Sequence, residues 1–401
     1  MNIYLHFNQT TVRKLHPMEF AMNNTQIRKL TFSIGLIILI LVTTSSYLHI
    51  KLGGGSAPSI HALCPFGALE SLYYLATEGA FIKKILSATM VLFVGSIVLA
   101  LIFRRAFCGI ICPFRTLQML FSTLRKPIMK KRLIIPSEID KPLRNLKYFV
   151  LILTVAMSWI TASLWMSPYD PWTAYSHLSA GTELFEEYLI GFIILIIVLI
   201  ASFFVDMFFC KYLCPMGALL AIISKLSPHK ITRTDKCINC KLCTKICPVN
   251  IKVSEISEVK SVECVNCQSC LLVCPVEGAL VLTEGKRKMK SLQYILLTLI
   301  IFFGIILISK SSGLYQDIPE IPSEGDIKNI EQVDEGIKGY MTLKEISLST
   351  GLSLDNIYAK GNFSKDNVPP DTKLKDISSK LGREVTPEDI REIIKALMVE
   401  K

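Results

Sequence analysis

A chain of 401 residues that is 51% hydrophobic, with a mean hydropathy of +0.45, is too apolar for an ordinary soluble protein of two or three domains. Its formal charge of +11 would suit a nucleic-acid binder, but the basic residues gather beside apolar runs, which reads as an orientation signal and excludes nucleic acid as a partner. A disulfide scaffold is excluded too, because twelve of the thirteen cysteines fall on segments that the charge pattern assigns to the reducing side.

Five apolar runs approach the roughly 20 residues needed to cross a bilayer: Leu30–Ile50, Ile85–Phe103, Phe149–Met166, Tyr188–Phe209 and Leu292–Ser309. Residues 1–29 read as a disordered cytoplasmic N-terminus, with Met18 and Met22 as alternative starts. The first run begins too late and runs too long for a cleavable signal peptide. The loop after it, outside by the charge rule, carries a lone Cys64 in His61-Ala62-Leu63-Cys64-Pro65-Phe66-Gly67-Ala68-Leu69-Glu70. This stretch reads as a helix-capped cysteine dipping into the outer interface. His61, Cys64 and Glu70, with Asp170 and His177 of the next outer loop, are candidates to receive protons from a quinol. The competing reading is solvated surface.

The second run ends in Cys108-x3-Cys112-Pro113, and the fourth in Cys210-x3-Cys214-Pro215. Between runs two and three lies a dense basic segment that includes Arg104, Arg105, Arg125, Arg132, Arg144 and Lys147, whereas Ser167–Leu184 has no Lys or Arg. The positive-inside rule then puts the N-terminus and loops two and four in the cytoplasm and the C-terminus outside. The second cysteine of each pair precedes a proline, a good first residue for a helix. A cysteine at that N-cap faces the positive end of the helix dipole, which favours thiolate. Both pairs close helices running in the same direction, so Cys108, Cys112, Cys210 and Cys214 can meet at one depth. Three readings stay open for them: a third redox centre, a quinone-facing redox site, or structural turns.

Next come Cys237-x2-Cys240-x2-Cys243-x3-Cys247-Pro248 and Cys264-x2-Cys267-x2-Cys270-x3-Cys274-Pro275. Each is the bacterial ferredoxin run, in which the fourth cysteine serves the other cluster. One 4Fe–4S cluster is therefore expected on Cys237, Cys240, Cys243 and Cys274, and a second on Cys264, Cys267, Cys270 and Cys247. Structural zinc also uses Cys-x2-Cys, but two complete four-cysteine repeats ending in Cys-Pro are far more specific.

Beyond the fifth run, a linker (311–339) leads to an exported helical domain (340–401) with a 31-residue internal repeat, Leu343-Lys344-Glu345-Ile346-Ser347 echoing Leu374-Lys375-Asp376-Ile377-Ser378 and Gly351 echoing Gly382. Topology rejects a DNA-reading helix-turn-helix there and favours docking of an extracytoplasmic protein.

Two Cys-x3-Cys-Pro motifs followed by tandem ferredoxin runs resemble the NapH-type 4Fe–4S membrane proteins and the polyferredoxin-like halves of NosR-type and CcoG-type proteins, over about Leu30–Leu282. That resemblance implies electron transfer between a quinone pool or a cytoplasmic reductant and an acceptor at or beyond the membrane, beside other redox subunits or a ferredoxin-like donor. It also implies an electron-transfer subunit of a quinol-dehydrogenase-like oxidoreductase. The expected fold is mostly α: a five-helix transmembrane bundle (30–228 and 291–310), a cytoplasmic two-cluster ferredoxin-like insert (229–290) and the small exported helical domain. The alternative is an iron–sulfur redox sensor signalling through the exported domain. A transporter energised by electron flow is disfavoured by the scarcity of charges within the runs.

Overall fold

Backbone polar groups in lipid have to be satisfied within the chain, and the apolar runs accordingly form helices. The computed structural model describes residues 23–399 apart from 53–56, 80–81, 83–84, 126, 130–131, 182, 286, 319–324, 326, 328, 338, 340 and 384. Most of the expected disordered N-terminus therefore lies outside the described residues.

The bundle contains α1 (Asn24–Leu52), α2 (Phe66–Glu78), α3 (Ser87–Phe103), α4 (Pro113–Leu124), α5 (Ser137–Thr161), α6 (Pro171–Ser176), α7 (Leu189–Phe204) and α8 (Pro215–Ile223). The insert follows, with β1 (His229–Arg233), α9 (Leu242–Ile246), α10 (Ser269–Val273), β2 (Leu280–Glu284) and β3 (Arg287–Met289), and α11 (Ser291–Ser311) returns to the bundle. Among the described residues, α1, α5 and α11 are long and apolar enough to cross a membrane. Helices α3 and α7 have 17 and 16 residues, and each leads into a one-turn helix that carries the first cysteine of a pair. The third expected span, Phe149–Met166, is displaced. Its helix starts at Ser137, with Glu138 and Asp140 in the first turn, where acids suit the helix dipole. It ends at Thr161, because Ala162 turns left-handed at φ 49°.

Insert and bundle are not separate packing units. One apolar cluster runs from Leu99 and Phe103 of α3 and Tyr294 and Ile295 of α11 into Ile231, Val259, Val265 and Leu282 of the insert. The small antiparallel sheet has the order β1-β2-β3, with Ile231 opposite Leu282. The Tyr294 hydroxyl donates to the Phe103 carbonyl and accepts from Asn266 Nδ2 at 2.6 Å, which joins α3, α11 and a cysteine loop of the insert.

The tail has its own core across α12 (Ile330–Gly336), α13 (Leu343–Thr350), α14 (Leu354–Gly361), α15 (Ile377–Leu381) and α16 (Pro387–Val399). That core begins before the expected boundary at 340, since Ile327, Val333 and Ile337 are buried in it. The repeat is visible in the backbone. Gly351 and Gly382 end α13 and α15 with φ 64° and 63°. Leu343 N–H donates to Thr372 O, and its equivalent Leu374 N–H donates to Met341 O, a reciprocal pair about a local two-fold.

Candidate iron-sulfur centres and the cysteine seam

The two ferredoxin runs fold as near copies. Asn239 and Lys241 in the first loop have φ of 54° and 60°, and Asn266 and Gln268 in the second have 49° and 61°. These left-handed residues, with asparagine among those that tolerate the region best, bend each loop around a hollow before the short helix α9 or α10. A cavity of about 330 Å³ is lined by Cys237, Cys240, Cys243 and Cys274, and another of about 360 Å³ by Cys264, Cys267, Cys270 and Cys247. Each thus gathers three cysteines of one run and the last of the other, a donor set that suits a 4Fe–4S cluster. Among the described residues no three ligands converge on a single metal ion, and an iron–sulfide cube holds its thiolates farther apart than one ion does. The two hollows differ in setting. Cys240 is exposed beside exposed Ile238 and Leu242. Cys247 is buried, and burial pushes its free thiol up to about 12.

The second hollow lies against the bundle. A Cβ on Gly109, next to Cys108, would be 2.1 Å from Val265 O and 3.2 Å from Cys267 N. Cys108, Cys112, Cys210 and Cys214 converge just behind this contact, close enough to act on one another electrostatically. Cys214 is the N-cap of α8 and accepts from Gly217 N–H at 3.2 Å. The dipole alone does not produce thiolates, contrary to expectation: burial outweighs it and pushes the free Cys112 and Cys214 thiols upward.

The basic loop does more than orient the chain. Glu263, next to Cys264, accepts from Lys147 Nζ at 2.6 Å and lies 3.6 Å from Arg105 and 3.9 Å from Arg144. Asp140 pairs with Arg144 at 2.7 Å, with Lys211 at 3.5 Å, and accepts from the Tyr212 hydroxyl at 2.6 Å. Arg104 donates to Val259 O and Ser261 O, Arg132 to Cys247 O, and Arg144 to Val249 O, at 2.6–2.8 Å. Cations of the bundle thus hold both edges of the second hollow. The charge rule explained these residues by topology and left their insert-binding role unseen.

At the far end of the bundle the structure brings Cys64, Glu70 and Asp170 into electrostatic contact. His177 instead stacks on Tyr188 at 4.3 Å, and the His61 carbonyl accepts from Thr89 Oγ1 at 3.1 Å. Asp170, one of the outer-loop candidates, is thus brought to Cys64 and Glu70, and what sequence reasoning missed is that it shares the Cys64 turn. Cys64-Pro65, Cys112-Pro113, Asp170-Pro171 and Cys214-Pro215 are four copies of one turn: a short helix, a residue with ψ between 112° and 118°, then a helix led by proline. Two copies face each end of the bundle. The Asp-Pro-aromatic triplet, set beside the Cys-Pro-aromatic ones, was the available signal.

Burial raises the Glu70 carboxyl to about 7, although the Ser158 hydroxyl donates to it at 2.9 Å. Its stabilising contribution is therefore complete at low pH and lost as pH rises through about 7. In detergent, Glu70→Gln should gain stability over the parent between pH 5 and pH 8 by on the order of 3 kcal/mol. A pH-independent difference in unfolding midpoint would disprove the buried-acid assignment.

Residues 85–132 and 189–234 match a family model described as a 4Fe-4S binding domain, and residues 229–288 match one described as a 4Fe-4S dicluster domain. The chain is 32% identical over 292 residues to the putative electron transport protein YccM of Escherichia coli K12, covering 69% of this chain and 80% of that one. It is 36% identical over 195 residues to the uncharacterized protein MJ0750 of Methanocaldococcus jannaschii, covering 48% and 76%, and 25% identical over 173 residues to the ferredoxin-type protein NapH of Escherichia coli K12, covering 41% and 55%. No solved structure matches. With paired cysteine hollows docked on an apolar helical bundle, and with these relatives, the chain belongs to the NapH-type, NosR-related family of 4Fe–4S membrane proteins.

Proposed function

We propose that this chain is an iron–sulfur electron-transfer protein of the cell membrane, moving single electrons between a soluble donor or neighbouring redox subunit and an acceptor in or beyond the membrane. A quinone is the membrane-soluble partner this reading favours. Cys237, Cys240, Cys243 and Cys274 hold one 4Fe–4S cluster, and Cys264, Cys267, Cys270 and Cys247 hold the other. Bound there, the clusters supply one-electron redox chemistry at potentials set by hydrogen bonds and exposure.

The observation that carries the reading is the asymmetry of the two hollows. One opens to solvent at Cys240, whereas the loop of the other touches the bundle at Gly109. Such a pair suits a relay with one end for a soluble partner and the other for the membrane. The insert and the N-terminal end of α1 share one end of the bundle, which also holds the Lys- and Arg-rich loop. Lys373 Nζ of the tail donates to Leu52 O at the far end of α1. The positive-inside rule then makes the insert cytoplasmic and the tail extracytoplasmic, with five spans. The tail, with its two-fold pseudo-symmetric core, is a docking module for an extracytoplasmic partner.

The test uses anaerobically purified protein in proteoliposomes loaded with a quinone analogue. Cys267→Ser should leave the first cluster reducible by dithionite but abolish quinone reduction. Transfer at the parent rate in that variant would refute the relay.

A further inference from the structure

The seam between bundle and insert holds Arg105, a buried cation that shares its carboxylate partner with two other cations, and the half-buried Arg115. Arg105 is 1% exposed and lies beside Cys108, Cys210 and Cys214, while Arg115 faces Cys210. Neither Nε–H has a hydrogen-bond partner. The Arg105 Nη2 sits 2.9 Å from where a Cβ on Gly217 would lie, against the Cys214 turn. Its carboxylate neighbour among the described residues, Glu263 at 3.6 Å, also serves Lys147 and Arg144. A buried guanidinium with an unpaired N–H is costly unless an acceptor occupies the space it faces.

The remaining donors also aim at sulfur. Gln118 accepts through Oε1 from Ser202 Oγ at 3.2 Å and from Phe209 N–H at 3.0 Å. That fixes its amide so that Nε2 donates to Cys210 Sγ at 3.2 Å. Gly217 N–H donates to Cys214 Sγ at the same distance. Four cysteines, two cations of which Arg105 has only a share of one carboxylate, and two N–H groups aimed at sulfur describe a site for an anionic sulfur-ligated group. Among the described residues no three ligands converge on one ion, which argues against tetrahedral zinc.

We propose that Cys108, Cys112, Cys210 and Cys214 ligate a third 4Fe–4S cluster at the seam, with Arg105 and Arg115 balancing its negative charge. The site rests on the electron-transfer reading and extends it, because Gly109 places this cluster against the Val265–Cys267 backbone of the second ferredoxin loop. An electron leaving the insert then has a one-electron acceptor inside the bundle.

Iron and acid-labile sulfide per chain, with an EPR redox titration, test the site. About twelve irons are expected, four for each of three clusters. Cys112→Ser and Cys214→Ser should each lose about four irons while both ferredoxin signals persist. Arg115→Gln should keep all the iron yet lower the midpoint of the third signal alone, since a lost cation disfavours the more negative reduced state. A tenfold weaker reduction equilibrium corresponds to about 59 mV. About eight irons in the parent overturns the third cluster and leaves the two-cluster relay standing, whereas fewer overturns the relay as well. Twelve irons that neither cysteine variant diminishes places the extra cluster elsewhere and overturns this site. If the cysteine variants do not fold, an unmoved third signal in Arg115→Gln overturns it.

Discussion

Glu263→Gln should destabilise the docked insert by about 3–5 kcal/mol, the cost of leaving buried charge without its partner. One carboxylate faces Lys147, Arg105 and Arg144, of which Lys147 is fully buried at 2.6 Å. The amide keeps the shape but not the charge, so three cations are left with a dipole. The expected readouts are a lower unfolding midpoint in detergent and faster proteolysis of the insert. Lys147→Met in the Glu263→Leu background should recover much of the loss, since an apolar pair of similar volume is often no less stable than a buried ion pair. A single variant within 0.5 kcal/mol of the parent, the range of ordinary surface changes, would mean that the network does not latch the insert.

Among the described glycines, Gly109→Ala should be the most damaging addition of a single methyl group. The added Cβ would meet Val265 O at 2.1 Å, and backbone cannot swing aside as a side chain can. Either the 264–267 loop withdraws or the turn between Cys108 and Cys112 deforms. Overpacking of this kind costs about 1–3 kcal/mol, occasionally more. Because the contact joins the second ferredoxin loop to the seam, electron flow from insert to bundle should slow markedly while the iron content of the insert stays at the parent level. Parent-like transfer in a variant confirmed by its mass would show that the route does not pass this point. Gly217→Ala is the informative comparison, since the Cβ there meets the end of a side chain, Arg105 Nη2, at 2.9 Å. That side chain can shift, so the stability cost should be smaller.

Local backbone shape was legible in the sequence. The spacing of Cys237 to Cys247 and of Cys264 to Cys274 dictates a loop, a short helix and a Cys-Pro exit whatever surrounds them, and the apolar runs dictate helices because lipid allows little else. The tail repeat was legible for the same reason: Gly351 and Gly382 stop helices through their own backbone freedom. Contacts between distant segments were not. Lys147 and Glu263 are 116 residues apart, and no periodicity or spacing relates them. Read alone, the basic loop said only which way the chain faces, and its second task emerged when folding laid it over the insert. Asp170 was named as a candidate for its carboxylate, but its likeness to Cys64, Cys112 and Cys214 went unseen because it lies in backbone shape rather than residue type. The sequence by itself determined which cysteines stand at ferredoxin spacing and which stretches are apolar enough for lipid, since both follow from patterns local in the chain. Only the tertiary structure decided that one ferredoxin hollow faces solvent and the other the bundle, and that four thiols meet two arginines behind it. Burial and charge balance belong to surfaces formed when remote segments pack together.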